Sequence, residues 1–292
     1  MPGSLPTRLF WDNAQGGGNP QVKENRGSQM RYTQKDIRER LGFSRDTLRF
    51  YEQRGIIEPE VDPKNGYRYY DDWQVNLLWD AKYYQGMGFS LAEVQEILQR
   101  ETLDGLRGRI AERTEELERE LRIKRLILRE TEHQLDNMRQ IEGSLGAYRV
   151  VEHEGCLFVP KRRDHSFDTK VTPAIEFANR NVGLMAPYFW FPDISEFHYH
   201  WGYAMRASTY EALGEPVGMG RYERLAGGPA LMTYLDAGER GSFSRPLFQG
   251  LIDEADARGL RHAGAIHGVL VARVHEGERY HRYLRAYLPL VG

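Results

Sequence analysis

The stretch "SRDTLRFYEQRGI", residues 44–56, decides how the first third of the chain is read. Ser44 is a natural N-cap, because its hydroxyl can accept from amides of the first turn that have no partner inside a helix, and Gly55 suits the residue just past the end, where φ turns positive. The spacing predicts a helix over Arg45–Arg54. At 3.6 residues per turn Leu48 and Tyr51 share one side, while Arg45 and Arg49 share another. One side can be buried, leaving a basic strip in solvent. Taken alone, that strip is equally a solvated charged face or a surface for a polyanion.

Working outward, Thr33 and Asp36 are spaced as a capping box ahead of "KDIRERLGF", a short amphipathic helix ending near Gly42. Two short helices joined through "LGFS" have the spacing of a helix-turn-helix, whose second helix enters the major groove of DNA. In the following "IIEPEVDPKNGYRYYDD", Pro59, Pro63 and the Asn65-Gly66 pair predict a hairpin of short strands, a wing, with Asn-Gly at its turn. Helices are expected at Trp73–Met87 and at Ser90–Arg100, the latter introduced by the capping pair Ser90 and Glu93.

The bulk numbers neither support nor forbid a nucleic-acid partner. A chain of 292 residues exceeds most single cores, so two domains are expected, and its formal net charge is −2. Over Met30–Glu101 there are 11 Lys and Arg against 13 Asp and Glu, so DNA binding would need sidedness rather than excess charge. With Cys156 as the one cysteine, an intramolecular disulfide and any cysteine-cluster metal or iron–sulfur site are excluded. No cofactor is expected. No apolar run has transmembrane length and no signal-type stretch opens the chain, so a cytoplasmic protein is expected. Residues 1–29, rich in Gly, Pro, Asn and Gln, read as a disordered extension or a leader.

From Leu103 to Leu145 there is no proline, and apolar residues recur at gaps of three, four and seven: Leu103, Leu106, Ile110, Leu117, Leu121, Leu128, Leu135, Met138 and Leu145. This is a coiled-coil seam, interrupted by Lys124 and Thr131. A lone long helix is marginal in water, so the seam calls for a partner, either the same helix of a second chain or the chain's own C-terminal half. Beyond it the composition turns aromatic and β-branched. Strands are expected near Tyr148–Pro160, Phe197–Met205, Ala230–Leu235, Ala265–Val274 and Tyr280–Leu288, with helices at Thr172–Leu184 and 242–259. The order suggests two similar halves forming an antiparallel sheet with helices on one face, and an α+β chain overall.

With "YTQKDIRERLGFSRDTLRFYEQRGIIEP", "NGYRYY" and "GFSLAEVQEIL" in this order and spacing, residues 32–101 resemble the DNA-binding domain of the MerR family of bacterial transcription regulators. The resemblance implies that Arg45 and Thr47 face base edges or nearby phosphates, that Arg49 and Tyr51 reach phosphate, and that Lys64, Tyr67 and Arg68 grip the backbone from the wing. It also implies that Thr33 presents a helix N-terminus to a phosphate. Phe50 stands where relatives often carry a tyrosine, which removes one hydroxyl and weakens one contact by about 1 kcal/mol. Residues 146–292 resemble the GyrI-like effector domain of multidrug-sensing members, through "EFHYHWGYAM", "PALMTYLDAG" and "YLRAYLPL". The family's metal and redox sensors place cysteines at the dimer helix and the loop after it, where this chain has none.

In "FHYHWGY", Phe197, Tyr199, Trp201 and Tyr203 alternate onto one face of a strand and His198 and His200 onto the other. The aromatic face is either core or the lining of a cleft for a planar or cationic ligand. Tyr148, Trp190, Phe191, Tyr234, Tyr283 and Tyr287 would enlarge such a lining. The histidine pair has strand-ligand spacing but no clear third ligand, so no metal site is expected. Where drug-binding relatives supply a buried glutamate, this chain has His267 and Gly268; Glu196 or Glu223 is then the candidate acid. Arg285 shares a side with Tyr283 and Tyr287, and suits an acidic or carbonyl group instead.

The reading that follows has four parts: the extension at 1–29, a winged helix-turn-helix at 30–102, a dimerising coiled-coil helix at 103–145 with Leu106, Ile110, Leu117, Leu121, Leu128 and Leu135 at the interface, and a GyrI-like effector domain at 146–292. It describes a homodimeric activator that binds a pseudo-palindromic promoter, senses an aromatic or lipophilic small molecule, and bends and untwists the spacer so that RNA polymerase engages both promoter elements. Two alternatives stay open: a small-molecule hydrolase built on the second domain, and a constitutive DNA-bending protein with a degenerate pocket.

Overall fold

Capping sets where the first helices begin. In the structure, a computed structural model that describes residues 31–291 other than 164–165, 168–169, 219, 240 and 242, Thr33 starts α1 (Gln34–Leu41) with the expected capping box. The extension over 1–29 lies outside the described residues. Ser44 starts α2 (Arg45–Gln53), its Oγ accepting from the Thr47 amide at 3.0 Å, and Gly55 takes φ 66° just past the helix end. A side chain there would be strained.

The wing departs from the simplest hairpin. Strands β2 (Glu60–Val61) and β3 (Arg68–Tyr70) pair Glu60 with Tyr69 and Val61 with Arg68, which leaves 62–67 as a six-residue turn. Asn65-Gly66 is inside that turn rather than being the whole of it. The Asp62 Oδ1 accepts from the Lys64 amide and the Asn65 Oδ1 from the Tyr67 amide, both at 2.8 Å, while Gly66 takes φ 70°. These side-chain contacts replace the two-residue turn. A strand not foreseen, β1 (Tyr32–Thr33), adds to the other edge of β3. Helices α3 (Asp72–Gly86) and α4 (Leu91–Arg100) follow, and the Ser90–Glu93 capping box is present. Ile37, Leu48, Tyr51, Ile57, Tyr70, Leu78 and Val94 make the core of this part.

Helix α5 runs unbroken over Leu103–Ser144. The chain divides within it into two compact units, one ending at Glu115 and the other beginning at Glu116. In the first, Arg109 of α5 ion-pairs with Glu96 and Glu101, each at 2.6 Å, and Leu106 packs on the core just described. Leu106 therefore belongs to that core rather than to an open seam. In the second, Leu126 and Ile141 are buried, whereas Leu117, Leu121, Leu128 and Leu135 on roughly the opposite side are exposed. The expectation of a single stripe misses this second, buried face.

The second unit is a nine-stranded sheet whose named strands pair antiparallel throughout. Its strands are β4 (Arg149–His153), β5 (Cys156–Arg163), β6 (Ser166–Phe167), β7 (Ala186–Phe191), β8 (His200–Arg206), β9 (Glu223–Leu225), β10 (Gly228–Asp236), β11 (Ile266–Glu276) and β12 (Arg279–Pro289). The order is β4-β10-β12-β11-β7-β8-β5-β6, with β9 also on β5. The expected Tyr148–Pro160 strand is thus two strands, and β7 and the short helix α7 (Ala207–Leu213) were not foreseen. One face of the sheet is covered by α6 (Pro173–Arg180) and α8 (Arg245–Ala257), which bury Phe177, Phe248 and Leu251. Each such side chain contributes about 1.5–3 kcal/mol. The other face carries Phe158, Tyr188, Tyr234, Tyr283 and Tyr287, and α5 reaches it with Ile141.

Candidate nucleic-acid interface and the cavity of the second unit

On α2 the side bearing Arg45 and Arg49 is exposed and Thr47 is half-buried, so the basic strip is open to solvent. Thr47 also exchanges a 2.8 Å hydroxyl contact with Ser44. Lys64, Tyr67 and Arg68 of the wing are exposed as well. Arg68 Nε lies 3.2 Å from Glu52, and Glu52 also accepts from the Tyr70 hydroxyl at 2.6 Å, so the wing is tied to α2 through one carboxylate. At Thr33 the amide and hydroxyl both donate to Asp36, at 2.9 and 2.6 Å. An incoming phosphate would have to use the other amides of that first turn.

Tyr51 does not fit the role implied for it. Its ring is fully buried and its hydroxyl accepts from Gln85 at 2.9 Å, with burial pushing its pKa up to about 12. The reason is its place one turn from Leu48, on the side of α2 that enters the core. Phe50 is half-buried, with the Arg54 guanidinium 5.2 Å from its ring centre.

The second unit carries a half-open cavity of about 530 Å³ on the sheet face opposite α6 and α8. Its wall on α5 is Glu130, Gln134 and Asn137; its floor is His153, Cys156, Tyr188, Arg285 and Tyr287. Arg206 ties two of the acids, at 2.9 Å to Glu130 and 3.0 Å to Glu154, and Thr209 donates to Glu130 as well. Arg285 donates through Nη1 to Asn137 Oδ1, its guanidinium carbon lies 5.3 Å from the centre of the Tyr287 ring, and its Nε is buried without an acceptor.

Under the floor, His267 shares a 2.7 Å hydrogen bond with the Tyr188 hydroxyl and stacks on Tyr287. Burial, with the charge of Arg285, holds the pKa of His153 down to about 4, and burial beside His153 holds that of His267 down to about 3. Both rings are neutral at ordinary pH. Burial raises the Cys156 thiol to about 12, so it remains protonated and is a poor nucleophile.

Of the residues expected to line a ligand site, Arg285 and Tyr287 line the cavity and His267 lies directly beneath. Trp190, Tyr234 and Tyr283 share the same sheet face without forming the wall. The others are elsewhere: alternation along β7 and β8 turns Phe191, Trp201 and Tyr203 to the helix-covered side, and the expected strand from Phe197 begins only at His200, with Phe197 at φ 57°. Tyr199, Trp201 and Phe197 pack with Phe191, Phe243 and Phe248, and Tyr148 adjoins the same cluster. Tyr203 packs in the α6 cluster under Lys161, whose Nζ is 4.6 Å from its ring centre. Glu196 is exposed in a loop and Glu223 is on β9, neither in the cavity wall. The cavity's acids come instead from α5 (Glu130), β4 (Glu152) and the β4–β5 turn (Glu154). Glu130, Gln134 and Asn137 follow one another at gaps of four and three between Leu126 and Ile141, a mixed polar stripe that was the available signal.

With this geometry in place, comparison with known proteins finds a matching family model, the MerR HTH family regulatory protein, over residues 32–101. The transcriptional regulator CueR of Escherichia coli O157:H7 is 30% identical over 92 residues, which cover 30% of this chain and 67% of that protein. The chain belongs to the MerR family. The mercuric resistance operon regulatory protein of Bacillus cereus is 36% identical over 70 residues, 24% of this chain and 52% of that one. The chain spans about two thirds of the length of the CueR relatives, 66% for that of Salmonella typhi. Among solved structures, EcmrR in its DNA-bound transcription complex matches over 89% of the chain at 14% identity, and a hydrolase from Listeria innocua matches over 53% at 13%. Their TM-scores, 0.34 and 0.35, are too low to argue from. The matched residues are those of the winged helix-turn-helix.

Proposed function

We propose that this regulator binds promoter DNA as a homodimer and changes its grip when a small molecule enters the cavity of the second unit. The observation that carries the DNA half is the joint exposure of Arg45 and Arg49 on α2 with Lys64, Tyr67 and Arg68 on the wing. In a chain of formal charge −2, four exposed cations and the Tyr67 hydroxyl at one recognition element and its wing supply the sidedness that phosphate contacts need. Arg45 and Thr47 read bases or nearby phosphates, and the wing positions the unit on the backbone.

The dimer rests on α5. Ile110, Leu117, Leu121, Leu128, Leu135 and Met138 stay exposed in one chain at coiled-coil spacing, which a second copy of the helix would cover. The second unit is proposed to be a GyrI-like effector domain. Apart from the two-residue β6, which extends the first, two runs of strand, helix, strand, strand, namely β5-α6-β7-β8 and β10-α8-β11-β12, meet at the β7–β11 pairing, which supports a pair of similar halves. By family resemblance the protein acts in the bacterial cytoplasm, bending and untwisting a promoter spacer so that RNA polymerase engages it. Among the described residues no helix is long and apolar enough to cross a membrane.

Selection of bound fragments from genomic DNA, followed by footprinting, tests the proposal. A pseudo-palindromic footprint lying between promoter elements is the expected result. Equal retention of all fragments, or of none, would overturn it.

A further inference from the structure

The charge inside the cavity says more than its volume does. Three acids border it, yet Glu130 and Glu154 are already bound to Arg206, and Glu152 is exposed, where water screens it. Arg285 is different. It is half-buried on the floor, its acceptor is the neutral Asn137, its Nε has no acceptor, and among the described residues no carboxylate is within ion-pair distance of it. The two histidines beside it are neutral and add no second positive charge. A guanidinium so placed lacks the acceptors that burial demands.

We propose that the cavity takes a ligand with a carboxylate or similar oxyanion on an apolar or aromatic body, the oxyanion received by Arg285 and the body resting on Tyr188 and Tyr287. This rests on the reading of the cavity as the effector site. The planar guanidinium offers a fork of donors that matches a carboxylate, and the oxyanion takes the place Asn137 Oδ1 now holds. A lipophilic cation would meet a like charge, with Glu130 and Glu154 already engaged by Arg206. The competition with Asn137 gives the ligand a direct effect on α5, since the bond it displaces joins that helix to β12.

Three compounds of one shape and different charge decide the matter: naphthoate, naphthamide and naphthylmethylammonium, titrated by calorimetry against the full chain and against Arg285→Gln. Naphthoate should bind the wild-type protein most tightly and the cation most weakly, and Arg285→Gln should cost naphthoate about tenfold or more while leaving naphthamide within about threefold. The order in the wild-type protein needs no variant, so it decides even if Arg285→Gln does not fold. Preference for the cation, or naphthoate binding that the folded variant leaves unchanged, would overturn the oxyanion and leave the effector site standing. Failure of all three to bind would overturn both.

Discussion

Tyr51 and Arg49 are two residues apart on one helix and have opposite fates, which one turn of spacing decides. Tyr51 falls on the side of Leu48 and is buried to its hydroxyl, whereas Arg49 falls with Arg45 in solvent. The sides of the helix were legible from periodicity, and the role borrowed for Tyr51 by resemblance conflicted with them. Tyr51→Phe should therefore destabilise the first unit by about 1 kcal/mol, the usual worth of the hydrogen bond from Gln85, and leave DNA affinity and its salt dependence unchanged. Urea unfolding and binding isotherms at several salt concentrations read the two effects separately. Arg45→Ala and Arg68→Ala should also differ in kind. The first relaxes base preference roughly tenfold at the contacted position, while the second weakens binding to every duplex and lowers the salt slope by about one. Indistinguishable profiles for both variants and the wild type would count against the recognition element.

At the scale of elements, α5 bears two stripes, and only one was read from the sequence. A regular run of leucines announces itself, but the buried stripe alternates apolar residues with Glu130, Gln134 and Asn137, so it resembles a solvated face. Polar residues lining a cavity are hidden from any rule that equates burial with apolarity. Strand β7 was missed for a related reason: its "APYFWF" is a short continuous apolar run, buried from both sides, without the alternation that marks a half-exposed strand. The two stripes of α5 should separate under mutation. Leu117→Glu with Leu121→Glu places charges in the proposed seam, so light scattering should report a monomer and operator binding should fall with it, while the second unit keeps its melting temperature. Leu126→Ala should do the reverse, costing the second unit about 2–5 kcal/mol without changing the mass in solution. A double-Glu variant that stays dimeric would move the interface elsewhere.

For the whole molecule, the distribution of histidine separates the two units. All nine histidines come at or after position 133, so the first unit has none, and the second contains His153 and His267, whose pKa values are held at about 4 and about 3. In the unfolded chain both return towards 6.5. Between 6.5 and the folded values the unfolded state binds more protons, so folding stability is full above 6.5 and is lost as the pH falls through that window. For a ring as buried as His267 the slope approaches 1.4 kcal/mol per pH unit. The lowered carboxylates of the first unit, Asp36 and Glu93, respond only as the pH falls below the usual carboxylate range. Calorimetry at about pH 7.5 and about pH 5 should therefore show two transitions, of which the one belonging to the second unit falls by several degrees and the other stays in place. His267→Gln should shrink that fall, because glutamine does not titrate. Equal movement of both transitions, or a fall unchanged in His267→Gln, would mean that the pH response arises elsewhere than in the neutral histidines beneath the cavity.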